Sequence, residues 1–433
     1  SYYSNAGYTY DGKLSLNGSA RLDRTNVFGN SEKYRNVVLW SAGASYQLHK
    51  TKYFAGGLFN TLVLRATYGI NGNIDKTTSP YLIAGTAKNA QTNLSYAYIV
   101  NPENPLLRWE KTKVKNAGID YAIEGGRIKG SVDVYDRYSS DLLGNAVVNG
   151  TYGFSSDYIN YASMRNRGVD VTLSALLLNR AFTIRSTLNY SYNKNRVMEV
   201  DMPQNTVGSR TGGLPMKGRP LNYLESYRWA GLAADGTPRV YDAQHKPTGY
   251  QTPMTDPAAL VYQGSGTPTH YGALYVDMGY KGFTLTASFV YKMGYWFRTP
   301  QLQYQYLLSG TNTLLKSWNQ RWQKPGDEAH TNVPALPASQ TGLNVSDNYT
   351  GFANINVANA SSIRFQELLL HYALPAAFAQ KLHATDMHVG LQARNLGVHV
   401  FNHQHIDPEY MTDNITINLE PRPEYTLSVK ANF

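Results

Sequence analysis

Apolar and polar residues alternate along this chain from its first residues to its last. Residues 2–10 already follow that pattern. In residues 13–23, Leu14, Leu16, Gly18, Ala20 and Leu22 share one face, while Ser15, Asn17, Ser19, Arg21 and Asp23 share the other. Residues 36–49 group Val38, Trp40, Ala42, Ala44, Tyr46 and Leu48; residues 60–71 group Leu62, Leu64, Ala66, Tyr68 and Ile70. A period of two marks a β-strand, because successive side chains point to opposite faces. Further runs at 113–123, 127–138, 166–178, 181–194, 269–280, 282–294, 362–374, 385–396 and 422–433 bring the total to about thirteen. The pattern predicts an all-β chain.

Most of these runs are about ten to fourteen residues long, whereas strands of soluble sandwiches are commonly about five or six. A tilted strand that crosses a membrane needs about nine to eleven. The second face adds to this. In 422–433, Tyr425, Leu427, Val429, Ala431 and Phe433 oppose Thr426, Ser428, Lys430 and Asn432; in 385–396, Met387, Val389, Leu391 and Ala393 oppose His388, Gly390, Gln392 and Arg394. A barrel with a wet lumen in lipid requires apolar-out and polar-in on every strand. Tyr190, Tyr192, Tyr280 and Tyr372 near strand ends fit interfacial aromatic girdles.

The connections alternate between short and long. Asp11-Gly12, Glu124-Gly125-Gly126, Asn179-Arg180 and Lys281 are short turns, while 80–108, 139–165, 196–268, 295–361 and 397–421 are long loops. Outer-membrane barrels have short periplasmic turns and longer extracellular loops. The reading is therefore a transmembrane antiparallel β-barrel whose long loops face outward and carry irregular, Pro- and Gly-rich backbone.

Composition narrows this further. Tyr contributes 35 residues and aromatics make up 12%, which argues against disorder. With Cys at 0, no disulfide framework and no Cys-ligated zinc or iron–sulfur site is available. Apolar stretches fall far short of the roughly twenty residues of a membrane helix. A net charge of +10 suits nucleic acid, an anionic membrane or anionic glycans, but the cations are scattered singly, so a solvated basic surface is favoured and nucleic acid is not expected. The chain has no initiator Met and opens inside a strand, and its odd strand number conflicts with the even number of single-chain bacterial barrels. The expectation is that it is part of a longer barrel.

Several segments carry a resemblance. They are Tyr8-Thr9-Tyr10-Asp11-Gly12-Lys13-Leu14, then Leu64-Arg65-Ala66-Thr67-Tyr68-Gly69-Ile70-Asn71-Gly72-Asn73, then Asn101-Pro102-Glu103-Asn104-Pro105-Leu106-Leu107-Arg108-Trp109-Glu110. Gly130-Ser131-Val132-Asp133-Val134-Tyr135, Asn166-Arg167-Gly168-Val169, Trp229-Ala230-Gly231-Leu232, Asp407-Pro408-Glu409 and the terminal Phe433 continue the series. In order and spacing the chain resembles the C-terminal half of SusC/RagA-type TonB-linked outer-membrane transporters of Bacteroidota. The resemblance implies that residues 1–433 are the C-terminal part of a TonB-dependent receptor β-barrel, contributing about thirteen of twenty-two strands around a plug. It places the plug and N-terminal extension outside this chain. It also implies a SusD/RagB-like surface lipoprotein as a lid, TonB–ExbB–ExbD as the energy source, outer-membrane lipid around the wall and a dimer of transporter–lipoprotein pairs. The implied solute is an oligosaccharide or a peptide. A passive channel or surface adhesin on the same barrel is the alternative.

No catalytic motif is present: no Gly-x-Ser-x-Gly elbow, phosphate-binding glycine loop or His-Glu-x-x-His. The expectation is a protein that is not an enzyme and carries no cofactor. His399, His403 and His405 lie near Asp407 and Glu409, but solvated loop histidines are the favoured reading and no metal is expected. The candidate solute contacts are aromatic: Tyr223, Tyr227 and Trp229 in one long loop, and Tyr304, Tyr306, Trp318 and Trp322 in another. Flat rings stack on sugars and pack on peptide side chains. Packing of loop against loop is the competing reading for the same residues. Tyr295, Trp296 and Phe297 directly follow a strand and read as interfacial girdle. Arg21, Arg65, Arg185 and Arg394 fall on lumen faces and are candidates for contact with plug or solute.

Overall fold

The computed structural model describes residues 1–24, 36–54, 57–76, 79–147, 150–152, 156–201, 205–249, 254–310, 316–411 and 418–433. Among them, every run of alternation has become a strand of one sheet. These are β1 (Tyr2–Tyr10), β2 (Leu14–Arg24), β3 (Asn36–Gln47), β4 (Phe59–Asn73), β5 (Glu110–Ile123), β6 (Ile128–Val147), β7 (Ser156–Asn179), β8 (Phe182–Val200), β9 (His270–Tyr280), β10 (Phe283–Met293), β11 (Ser362–Ala373), β12 (Asp386–Val400) and β13 (Glu424–Asn432). Each is hydrogen-bonded to its neighbours in chain order, giving a 13-stranded meander. Antiparallel neighbours need only a tight turn. Lys281 (φ 43°) and Gly282 (φ 85°) supply one between Tyr280 and Phe283, both in the left-handed region that a two-residue hairpin of this twist requires. Among the described residues no helix is long and apolar enough to cross a membrane.

Three strands differ from the pattern. β6, β7 and β8 run for 20, 24 and 19 residues. At about 3.3 Å per residue, β7 reaches roughly 80 Å, far more than a bilayer needs. The sequence reads their outer parts as loop because apolar and polar residues mix on both faces there and the alternation disappears. The backbone ladder continues without it. Polar side chains reinforce it: the Asn160 amide donates to the carbonyls of Arg108 (2.8 Å) and Asp141 (2.6 Å), and Arg108 pairs with Asp141 at 2.7 Å.

Contacts divide the chain into two compact units, one comprising residues 1–173, 193–203 and 215–220 and the other 174–192, 204–214 and 221–433. In the first, register places Leu16, Ala44, Ala66, Ala117 and Val134 side by side on one face. Ile119 and Val134 stay exposed there at 42% and 51%. A soluble protein would cover such a wall; a lipid-facing one leaves it bare. The opposite face is polar: the Arg65 guanidinium reaches Asp120 at 2.7 Å and Asp133 at 3.0 Å across two neighbouring strands. Arg21 pairs with Asp23 at 2.7 Å. In the second unit Arg394 lies 3.5 Å from Glu367. Three of the lumen arginines thus meet carboxylates of the wall itself. Away from the sheet, residues 83–101 form a hairpin, Ile83–Lys88 against Ser95–Asn101.

The long loops of the second unit are ordered rather than irregular. Strand Tyr223–Tyr227 pairs with Leu260–Ser265, and Trp229–Leu232, Pro238–Tyr241 and Pro247–Gly249 form a small meander. Trp296–Arg298 pairs with Val357–Asn359. Helix Gln340–Gly351 begins at Ser339, whose hydroxyl accepts from the Gly342 amide and so satisfies one of the free donors of the first turn. Two apolar clusters hold this layer. One joins Val207, Tyr227, Val240 and Tyr349; the other joins Leu302, Tyr304 and Leu343.

Candidate functional site

The loop layer of the second unit gathers the residues singled out from sequence, and it separates them by environment. Tyr227 is buried against Tyr349, with ring centroids 5.0 Å apart. Burial pushes its phenol up to about 12. Tyr223 is buried too, and its hydroxyl donates to the Leu214 carbonyl at 3.0 Å. Tyr304 is 1% exposed; its hydroxyl donates to the Pro334 carbonyl, and Trp318 meets it edge-on at 6.2 Å. Trp318 also carries the Arg321 guanidinium over its ring at 4.0 Å. Trp229 and Trp322 are held through their indole N–H groups, which donate to Asn332 Oδ1 and Glu328 Oε2, each at 3.0 Å. Tyr306 is 43% exposed.

Two buried acids organise the frame. Asp347 receives the amides of Tyr304 (2.9 Å) and Gln305 (2.8 Å), and burial raises its carboxyl above the ordinary range despite those bonds. Glu225, fully buried, is gripped by Arg210 through Nε (2.5 Å) and Nη2 (2.8 Å). A third anchor fixes the loop after β12. Arg364 meets Asp407 Oδ2 at 2.5 Å and Glu409 Oε2 at 3.1 Å, and Lys292 pairs with Glu409 as well. Burial acts to raise the Glu409 carboxyl, but Lys292 and Arg364 hold it below the usual range. The carboxylates that sequence places near His399, His403 and His405 are thus engaged by cations. His399 itself meets Phe401 edge-on at 4.8 Å.

An open cavity of about 470 Å³ lies among these elements, lined by Asn222, Tyr223, Leu224, Trp296, Arg298 and Met411, with Gly212, Gly213 and Gly266 on its walls. Trp296 is exposed, Tyr295 is buried, and both belong to the loop layer rather than to the outward barrel face where the sequence reading put them. Arg298 donates to the Glu225 carbonyl at 2.6 Å and to Ser226 Oγ at 3.1 Å, and it stacks on Phe352 at 4.8 Å. Burial lowers it to about 10. Among the described residues no carboxylate pairs with it. A cation, an exposed indole and a phenol around one opening can hold a ring and an acceptor group together.

Arg298 was not legible as a site residue, because a lone Arg after a strand carries no pattern. Gly264 is the other position that sequence reasoning passes over. It sits at φ 135°, and a Cβ there would stand 2.7 Å from Trp296 Cδ1. Gly264→Ala is expected to displace the indole and reshape the cavity, at a backbone cost of about 1–3 kcal/mol. Tryptophan fluorescence of the full-length protein would register the shift; an unchanged emission spectrum would refute it.

The sequence profile of the family described as TonB dependent receptor-like, beta-barrel, matches residues 1–265. The chain belongs to this family. Among similar proteins, TonB-dependent receptor P39 of Formosa agariphila is 31% identical over 54% of this chain and 22% of its own length. TonB-dependent receptor SusC of Bacteroides thetaiotaomicron is 24% identical over 46% of this chain and 21% of its own length. Of solved structures, the RagAB peptide transporter superposes with a TM-score of 0.80 at 24% identity, covering 100% of this chain and 47% of the other. The chain spans less than half the length of these relatives. As a member of this family it is an outer-membrane β-barrel chain, and the bare apolar wall and polar opposite face are the physical form of that location.

Proposed function

We propose that this TonB-dependent receptor barrel imports large nutrients, oligosaccharides or oligopeptides, as the transporter half of a SusCD-type pair. The observation that carries this is the loop layer: two long loops build their own apolar cores and leave an open cavity holding Trp296 and Arg298. A structured layer with a polar-aromatic opening suits capture of a soluble solute. Of the aromatic candidates, Tyr306 is the exposed one and is assigned to solute contact with Trp296 and Arg298; the buried and half-buried rings frame the layer. A SusD/RagB-like lipoprotein closes over the loops in this reading. TonB, with ExbB and ExbD, supplies energy through segments beyond this chain. The name of the RagAB peptide transporter supports the peptide class, and that of SusC, a TonB-dependent receptor, supports coupling to TonB.

The experiment is uptake by cells with and without the gene, fed fluorescently labelled oligosaccharides and oligopeptides. Import should vanish on deletion and also on dissipating the proton gradient. Gene-dependent uptake that survives a protonophore would overturn active import and favour the passive channel. Gene-dependent surface binding without entry would favour the adhesin.

A further inference from the structure

We propose that the outward face of β5 and β7, at the end nearest the long loops, binds phosphate groups of outer-leaflet glycolipid. The proposal rests on the orientation in which the long loops face the cell exterior. Residues of β5 alternate strictly: Ala117 and Ile119 lie on the apolar outward face, and Lys111, Lys113 and Lys115 continue that same face toward the loops. All three lysines are exposed. On the next strand Asp136 stands opposite Lys115. Arg165 and Arg167 of β7 reach that same carboxylate, Arg165 through Nε at 2.8 Å and Arg167 through Nε at 3.2 Å. One carboxylate, engaged by two arginines, therefore stands at the foot of a row of three lysines. Among the described residues none lies within ion-pair distance of the three lysines.

The depth of this patch is marked independently. Trp40 and Tyr68 meet edge-on at 5.3 Å on the same outward face, the arrangement of an interfacial girdle. Tyr68 is the register partner of Lys115, Ile70 of Lys113 and Gly72 of Lys111. The Lys115 ammonium lies 6.0 Å above the Tyr68 ring. The row Ala44, Ala66, Ala117 and Val134, with nothing polar on it, runs directly beneath. The wall is thus apolar below, and above that row aromatic and cationic residues share the same levels, with Lys111 beyond them. Acyl chains match the lower part, and the interface with its headgroups the upper. Flexible lysine stems let the ammonium groups rise to phosphates while their methylenes stay against the wall. The excess of positive charge selects an anionic headgroup over a zwitterionic one.

The test uses the full-length protein in detergent, with phosphorylated lipopolysaccharide as probe and the thermal-unfolding midpoint as readout. Each Lys or Arg near an anionic membrane surface contributes about fivefold, so the triple substitution Lys111→Gln, Lys113→Gln, Lys115→Gln is expected to weaken binding about 100-fold. The lysines are exposed, so the variant should fold; a Lys→Arg triple variant controls for this and should bind as the native protein does. Lipopolysaccharide with its phosphates removed enzymatically should bind as weakly as the Gln variant. Equal binding of the dephosphorylated lipid, or an unaltered affinity in the Gln variant, would overturn the proposal. An equal stabilisation by inorganic phosphate alone would overturn it too, by making the site one for free anion.

Discussion

Replacing Arg210 with methionine is expected to unfold the loop layer while leaving the barrel strands intact. Glu225 is fully buried and is held by two hydrogen bonds from this one guanidinium. Removing the cation takes two charge-assisted hydrogen bonds and the counter-charge from a carboxylate in a low-dielectric interior, which costs about 3–5 kcal/mol. The layer's own packing is small: Val207, Tyr227, Val240 and Tyr349 form one cluster, and Leu302, Tyr304 and Leu343 the other. A loss of that size is a large share of the stability any domain commands, which is about 5–15 kcal/mol. Hydrogen exchange on the full-length protein should show lost protection across residues 223–227 and 260–265, with β9 to β11 unaffected. The double variant Arg210→Met, Glu225→Leu removes both charges and should recover much of the protection. Unchanged protection in the single variant would refute the assignment.

Tyr304→Ala is expected to be nearly as damaging, and it separates two roles that the sequence assigns together. The ring is buried among Leu302, Leu343 and Trp318. Truncating a buried aromatic to Ala costs about 3–5 kcal/mol. Tyr304→Phe keeps the packing but leaves the Pro334 carbonyl without its donor, for about 1–3 kcal/mol. Tyr306, two residues on and exposed, should tolerate Ala within about 0.5 kcal/mol. Under the import reading Tyr306→Ala weakens solute binding at unchanged thermal stability, and Tyr304→Ala lowers stability first. Thermal unfolding and solute titration of both variants check this. Equal destabilisation by the two would show that exposure does not sort these side chains.

The alternation made the wall legible because a strand exposed to lipid on one side and water on the other must repeat every second residue. Leu64-Arg65-Ala66-Thr67-Tyr68 carries the evidence within itself: the odd and even sets differ, and no distant residue is needed to read them. The same logic failed at residues 139–147 and 156–165, where the strands continue but apolar and polar residues mix on both faces. It failed again in the loops. Trp296, directly after a strand, has the local look of a girdle residue, yet it pairs with Asn359 and abuts Gly264.

The sequence by itself determined the strands, their order, the lipid-facing and polar sets, and, through the spacing of its motifs, the family. Each depends on local period or on short linear segments. Tertiary structure alone decided which aromatics are buried and which are open, because Tyr304 and Tyr306 differ only in what distant residues cover them. It also decided where the cations meet. Lys111, Lys113 and Lys115 lie in one segment of the chain, and Arg165 and Arg167 in another fifty residues away. Antiparallel pairing and the shared carboxylate of Asp136 bring them onto one face at the level of the interfacial aromatics. Charge acts through space, and only the register of neighbouring strands sets that distance.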